Sequence, residues 1–322
     1  MDRLLLSLGI IFFSLSAGYA CRCLAQTRPA LFTPDRMLLL RQKIQIVSLF
    51  ALFPLAAMLS LWAMPRPDGA LLLLPLLGIA AWSLGGALAL LYAGLRNLDG
   101  RRTGSLYCCG TFSNIGAVGT LVCVLFHGEG TIALAALYRL CEELFYFSAA
   151  LPIARRYAPD GGVQGIGRRK AFSPALCIAL SALSLGILLN LCHVRRPHFC
   201  GNLATVLTIS STVLLLFSIG LGLRISRLAC YTREGLAVCL IKFLCVPAAV
   251  IGIAKCAGLG GIDNGLPLKV VAVLASMPVA MNALIPPSLF NLDLDLANAC
   301  WLFSTLALPV VLPVLLVILP LL

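Results

Sequence analysis

Thr111-Phe112-Ser113-Asn114-Ile115-Gly116-Ala117-Val118-Gly119-Thr120 decides how this chain is read. It lies in the middle of residues 104–127, which contain no Asp, Glu, Lys or Arg. That stretch is long enough to cross a bilayer, for which about 20 apolar residues suffice. A helix that only anchors a protein in lipid carries leucine and valine at its centre. This one carries hydroxyls, two glycines and an asparagine amide. Glycines three apart, beside a side chain with both donors and an acceptor, predict a helix broken or loosened at mid-membrane. Irregular backbone at that depth is tolerated only where protein buries it or where it lines a wet cavity. Transporters place their binding sites at such interruptions, so the stretch predicts a secondary transporter.

The residues on either side extend that reading to the whole chain. With 61% hydrophobic and 11% charged residues and a mean hydropathy of +1.01, a soluble globular domain is excluded. Apolar runs fall at residues 4–23, 44–63, 70–95, 104–126, 131–154, 173–192, 202–223, 236–257, 268–289 and 298–322. The expected fold is an all-α polytopic membrane protein of ten transmembrane helices with no soluble domain. A net charge of +12 would point to nucleic acid in a soluble protein; here it points to loops held in the cytoplasm, and no nucleic acid is expected. One side holds Arg22, Arg28, Arg36, Arg41, Lys43, Arg96, Arg101, Arg102, Arg155, Arg156, Arg168, Arg169, Lys170, Arg224, Arg227 and Arg233. The other holds Arg3, Arg66, Arg195, Arg196, Lys255 and Lys269. The first side is then cytoplasmic and both termini lie outside. Residues 1–21 have the outline of a signal peptide, but nine further spans follow and they are read as the first helix.

Catalytic and metal chemistry find no support. The fourteen cysteines are scattered without a Cys-x-x-Cys pair, and His127, His193 and His198 form no ligand cluster. No nucleophile–base spacing is present. Asp293-x-Asp295 reads as the cap of the last helix. The chain is not expected to be an enzyme, to bind a metal or to carry a cofactor.

Polar groups inside the other runs are few and therefore informative. The fifth run contains Arg139, Glu142 and Glu143, and the eighth contains Lys242 beside Pro247. Ionisable groups at that depth are functional candidates by default. Their charges sum to zero, which leaves two readings open: a neutralising network, or proton coupling through one glutamate. Lys242 either attracts an anion or snorkels to the cytoplasmic face. The ninth run has another small, polar centre, Ser276-Met277-Pro278-Val279-Ala280-Met281-Asn282-Ala283. Leu125-Phe126-His127-Gly128-Glu129 aligns with Leu289-Phe290-Asn291-Leu292-Asp293 at an offset of 164 residues. Five spans per half make the halves inverted repeats, 1–160 and 161–322, joined by a basic, glycine-containing stretch.

Several of these stretches resemble the auxin efflux carrier family. Gly18-Tyr19-Ala20-Cys21-Arg22 is similar to the Gly-Tyr-x-x-Arg that closes the first helix there. Asn114-Ile115-Gly116-Ala117-Val118-Gly119 matches Asn-x-Gly-x-x-Gly, and Phe126-His127-Gly128 with Leu137-Tyr138 resembles its continuation. The family often has proline two residues after the second glycine, where this chain has Leu121. The resemblance, which extends to the plant PIN auxin carriers, implies two inverted five-helix repeats whose broken fourth and ninth helices cross at the site. It implies transport of small organic anions such as auxin or dicarboxylates. Asn114, Asn282, Ser113, Gly116 and Pro278 are then the substrate-binding candidates, and Glu142, Glu143, Arg139 and Lys242 the coupling or charge network. The partners implied are an organic anion, a proton or sodium ion and the lipid bilayer, with a homodimer left open. The expected location is a bacterial inner membrane. A sodium-coupled symporter of the bile acid type, which shares the architecture, and a non-transporting membrane sensor are the alternatives.

Overall fold

A computed structural model describes residues 2–27, 34–63, 69–159, 174–222 and 228–322. The junction between the expected halves, with Arg168, Arg169 and Lys170, lies outside the described residues, as do Arg28, Arg66, Arg224 and Arg227. Among the described residues the chain is helical, with one isolated β-bridge. Asp2–Ala25, Leu71–Leu95, Phe199–Gly222 and Thr232–Cys256 are each long and apolar enough to cross a bilayer. Leu294–Leu306 and Leu308–Leu321 form a fifth candidate, bent by 48° between them. Phe53–Trp62, Ile115–His127 and Leu180–Leu191 are apolar but shorter. The protein is an integral membrane protein, and its ten apolar runs are not ten uninterrupted helices.

Proline explains many of the interruptions. Turns of π-helix at Ser48–Leu52, Tyr146–Ala150 and Ile241–Cys245 each begin six residues before a proline, Pro54, Pro152 and Pro247. In each, the residue just before the proline donates its N–H to the first residue of the widened turn. Proline has no N–H and its ring collides with the carbonyl four residues back. Widening one turn relieves that collision without ending the helix. A fourth π turn, Ile115–Gly119, occupies the same relation to Leu121.

The fifth run departs from expectation. It is a helix over Gly130–Tyr138, a turn at residues 139–141, and helix again from Glu142. A side chain at Gly78 would strike the Tyr138 carbonyl, so the third run fits against the end of that helix through a glycine.

The chain forms two compact units, and each draws on both sequence halves. The first comprises Met1–Arg66, Gly116–Ala136 and Pro174–Arg224. Within it, Asp2–Thr27 meets Phe199–Gly222 backbone to backbone, because a side chain at Gly18 would strike the Phe217 carbonyl and one at Gly220 the Leu15 carbonyl. Gly18 is thus a packing residue, and the Gly18-to-Arg22 motif lies inside a helix that continues to Thr27 rather than at its exit. Ala56, Leu59, Val124, Ile132, Cys200 and Ala204 form a core cluster, and Arg196 pairs with Glu129 at 3.2 Å.

The second unit comprises Pro67–Ile115, Leu137–Ser173 and Ile225–Leu322. Leu74–Leu95 lies closely against Gly100–Thr111, with Gly85 and Gly86 facing Gly110 and Thr111. Asp99 caps Gly100–Thr111 through the Arg102 N–H at 2.9 Å, and Asp293 caps Leu294–Leu306 through the Leu296 N–H at 2.9 Å. Asp293 is the cap expected of the Asp293-x-Asp295 pair. It also accepts the Tyr231 hydroxyl at 3.0 Å and lies 3.7 Å from Arg102 Nε.

Candidate functional site

Within the second unit two interrupted helices meet. Gly100–Thr111 stops, and residues 112–114 are unwound before the π turn begins. Leu266–Ala275 stops likewise, and residues 276–280 are unwound before a 3-10 turn over Met281–Leu284 and a short helix over Ile285–Leu289. Unwound backbone in a membrane must find partners or incur a cost of several kcal/mol per group. Here the two breaks supply one another. Asn114 donates its N–H to Pro278 O at 2.7 Å, and Ala280 donates to Phe112 O at 3.1 Å. Ser113 and Val279 form an antiparallel bridge between those bonds. The Val279 N–H goes to Ser304 Oγ at 3.1 Å.

A lysine lies against this junction. Lys242, on the π turn Ile241–Cys245, is 1% exposed. Its ammonium donates to Thr111 O at 3.2 Å and to Ser113 Oγ at 3.0 Å. Thr111 O belongs to the last turn of a helix, where carbonyls are unpaired and the dipole is negative. Lys242 therefore does not snorkel. It makes no ion pair among the described residues.

Residues 166–316 match a family model described as membrane transport protein. An uncharacterized transporter of Methanothermobacter thermautotrophicus is 28% identical over 243 residues, covering 76% of this chain and 77% of that one. Both matches support a membrane transport protein, in keeping with the resemblance to the auxin efflux carrier family. The matches indicate a transporter rather than an enzyme.

The transporter's polar residues take distinct places around the crossing. Asn114 is buried, at 8% exposure, and its side-chain amide makes no hydrogen bond among the described residues. Asn282 donates Nδ2 to Glu142 Oε1 at 3.3 Å, while its own Oδ1 is buried without a partner among the described residues. Glu142 is also bonded to Arg139, whose Nε lies 2.9 Å from Oε2. The fifth-run charges thus tie directly to the ninth run through Asn282, a link with no sequence signal because it joins residues 140 apart. Glu143 is the half-buried neighbour of that pair. The four charges do not form one closed quartet, since Lys242 is engaged by Thr111 and Ser113 instead. Pro278 contributes its carbonyl to the backbone bridge and, lacking an N–H, helps to hold the break open. Gly116 lies in the π turn, in a segment that belongs to the first unit. Ser304 and Thr111 were not candidates from sequence. Ser304 acts through its hydroxyl, a group that on apolar helices ordinarily bonds its own backbone, and Thr111 acts through its main-chain carbonyl, which no residue type announces.

Proposed function

We propose that the protein is a secondary transporter of small organic anions, bound at the crossing of the two interrupted helices. The observation that carries this reading is Lys242, a buried ammonium at the crossing with no carboxylate paired to it among the described residues. Burying an uncompensated charge is costly, and a cargo carboxylate would relieve that cost whenever it binds. A second source of attraction would be the positive N-terminal ends of the outgoing half-helices. On the ninth run that end is a 3-10 turn followed by a five-residue helix, so the lysine is the stronger term. Asn114 and Asn282 would complete the carboxylate's shell with amide groups, and Ser113 would orient the lysine.

In this reading ten spans form two inverted repeats, 1–160 and 161–322, in a bacterial inner membrane. The closeness of Asn114 to Pro278 supports it, because these residues are 164 apart, the offset at which the two halves align. Two repeats related by an in-plane axis would bring equivalent residues together at that axis. Uptake of radiolabelled mono- and dicarboxylates into proteoliposomes tests the proposal. Saturable uptake of at least one carboxylate is expected, with no competition from its amide or amine analogue. Equal competition by the amine or amide overturns the anion reading.

A further inference from the structure

Transporters with interrupted helices bind coupling cations at carbonyl-bearing half-helix ends and unwound backbone, where partial negative charge collects. In this protein that place is taken by part of the chain itself. The C-terminal end of Gly100–Thr111 presents the Thr111 carbonyl, and the unwound residues that follow present the Ser113 hydroxyl. Both oxygens receive hydrogen bonds from the Lys242 ammonium, at 3.2 and 3.0 Å. One carbonyl and one hydroxyl are the kind of oxygen donors a hard monovalent cation takes. The lysine arrives from a different helix, 129 residues away from Ser113 in sequence.

We infer that Lys242 is a resident cation: its ammonium fills the monovalent-cation position at the carbonyl end of Gly100–Thr111, so that cargo binding requires no sodium ion. This inference rests on the reading of the crossing as the transport site, and it gives that site its coupling property. A sodium symporter of the same architecture would need this position vacant. Here the positive charge is covalently attached, and it remains at the junction through every cycle. The ammonium also has three donors, of which two are engaged among the described residues; the third is the one that would meet an anionic cargo.

The test uses the full-length purified protein and two separate readouts. Thermal melting of the parent is expected to be the same in sodium chloride and choline chloride. Lys242→Ala is expected to melt several degrees lower in choline, and to recover saturably on addition of methylammonium or sodium. Saturable stabilisation of the parent by sodium overturns the inference, as does a Lys242→Ala protein that melts like the parent or ignores both cations. Lys242→Gln, whose amide donates to the same oxygens without charge, guards against loss of folding in the alanine variant. It is expected to fold, to remain indifferent to sodium and to bind a carboxylate cargo at least tenfold more weakly. A Lys242→Gln protein stabilised by sodium, or binding as tightly as the parent, overturns it too. If no carboxylate binds the parent while the melting results hold, the cargo assignment fails and the resident cation stands. If a carboxylate binds only with sodium present, the cargo assignment stands and the resident cation fails.

Discussion

At the scale of single residues, the two asparagines differ in what their side chains hold within the protein. Asn114 makes no side-chain hydrogen bond among the described residues, whereas Asn282 holds Glu142. Asn114→Ala should therefore weaken cargo binding by about 1.5–3 kcal/mol, the worth of a hydrogen bond to a charged group, and leave the melting temperature unchanged. Asn282→Ala should weaken binding and also destabilise the protein by about 1–3 kcal/mol, because a buried carboxylate loses a donor. Isothermal titration and melting curves on both variants check this, and unaltered binding in both would move the site elsewhere. The amides were legible in the sequence because they are conspicuous among apolar neighbours. The partners of Lys242 and Glu142 were not, since a side chain's choice between snorkelling, pairing and capping depends on which helix end is brought beside it. The turn at residues 139–141 was equally hidden. It contains no glycine or proline, and it abuts the third run where Gly78 leaves room for the Tyr138 carbonyl.

At the scale of elements, three π turns follow from prolines placed six residues after their first residue, and a reader of the sequence can mark each one. The fourth, Ile115–Gly119, has Leu121 at that place, and so no proline announces it. If position 121 has the same backbone requirement as positions 54, 152 and 247, then Leu121→Pro should remain folded and transport-competent, losing only the packing of a fully buried leucine. Val122→Pro, one residue further on, should lose about 3 kcal/mol or more, as for proline in a regular helix interior. Yield, monodispersity in detergent and melting temperature of the two variants give the comparison. Equal damage from both would mean that the widened turn at 115–119 has a cause unrelated to those of the other three.

For the whole molecule, the distribution of lysine and arginine over the loops predicts an orientation with both termini outside the cytoplasm. An alkaline phosphatase fused after Leu322 should be active and a fluorescent protein at the same place dark; the reverse pattern would overturn the ten-span arrangement with both termini outside. Membrane class was legible from composition alone. The division into compact units was not, because contact groups segments of both halves and cuts the fourth run between Ile115 and Gly116. The crossing has a consequence for how such a protein diversifies. Its two breaks are pinned by main-chain bonds, Asn114 to Pro278 and Ala280 to Phe112, and substitution of a side chain leaves those atoms in place unless it introduces proline. If the crossing is the transport site, as proposed, the groups left to face a cargo are side chains, Asn114 foremost, and these can be exchanged one at a time. On that reading a lineage can change what it carries without rebuilding the junction at which it is carried.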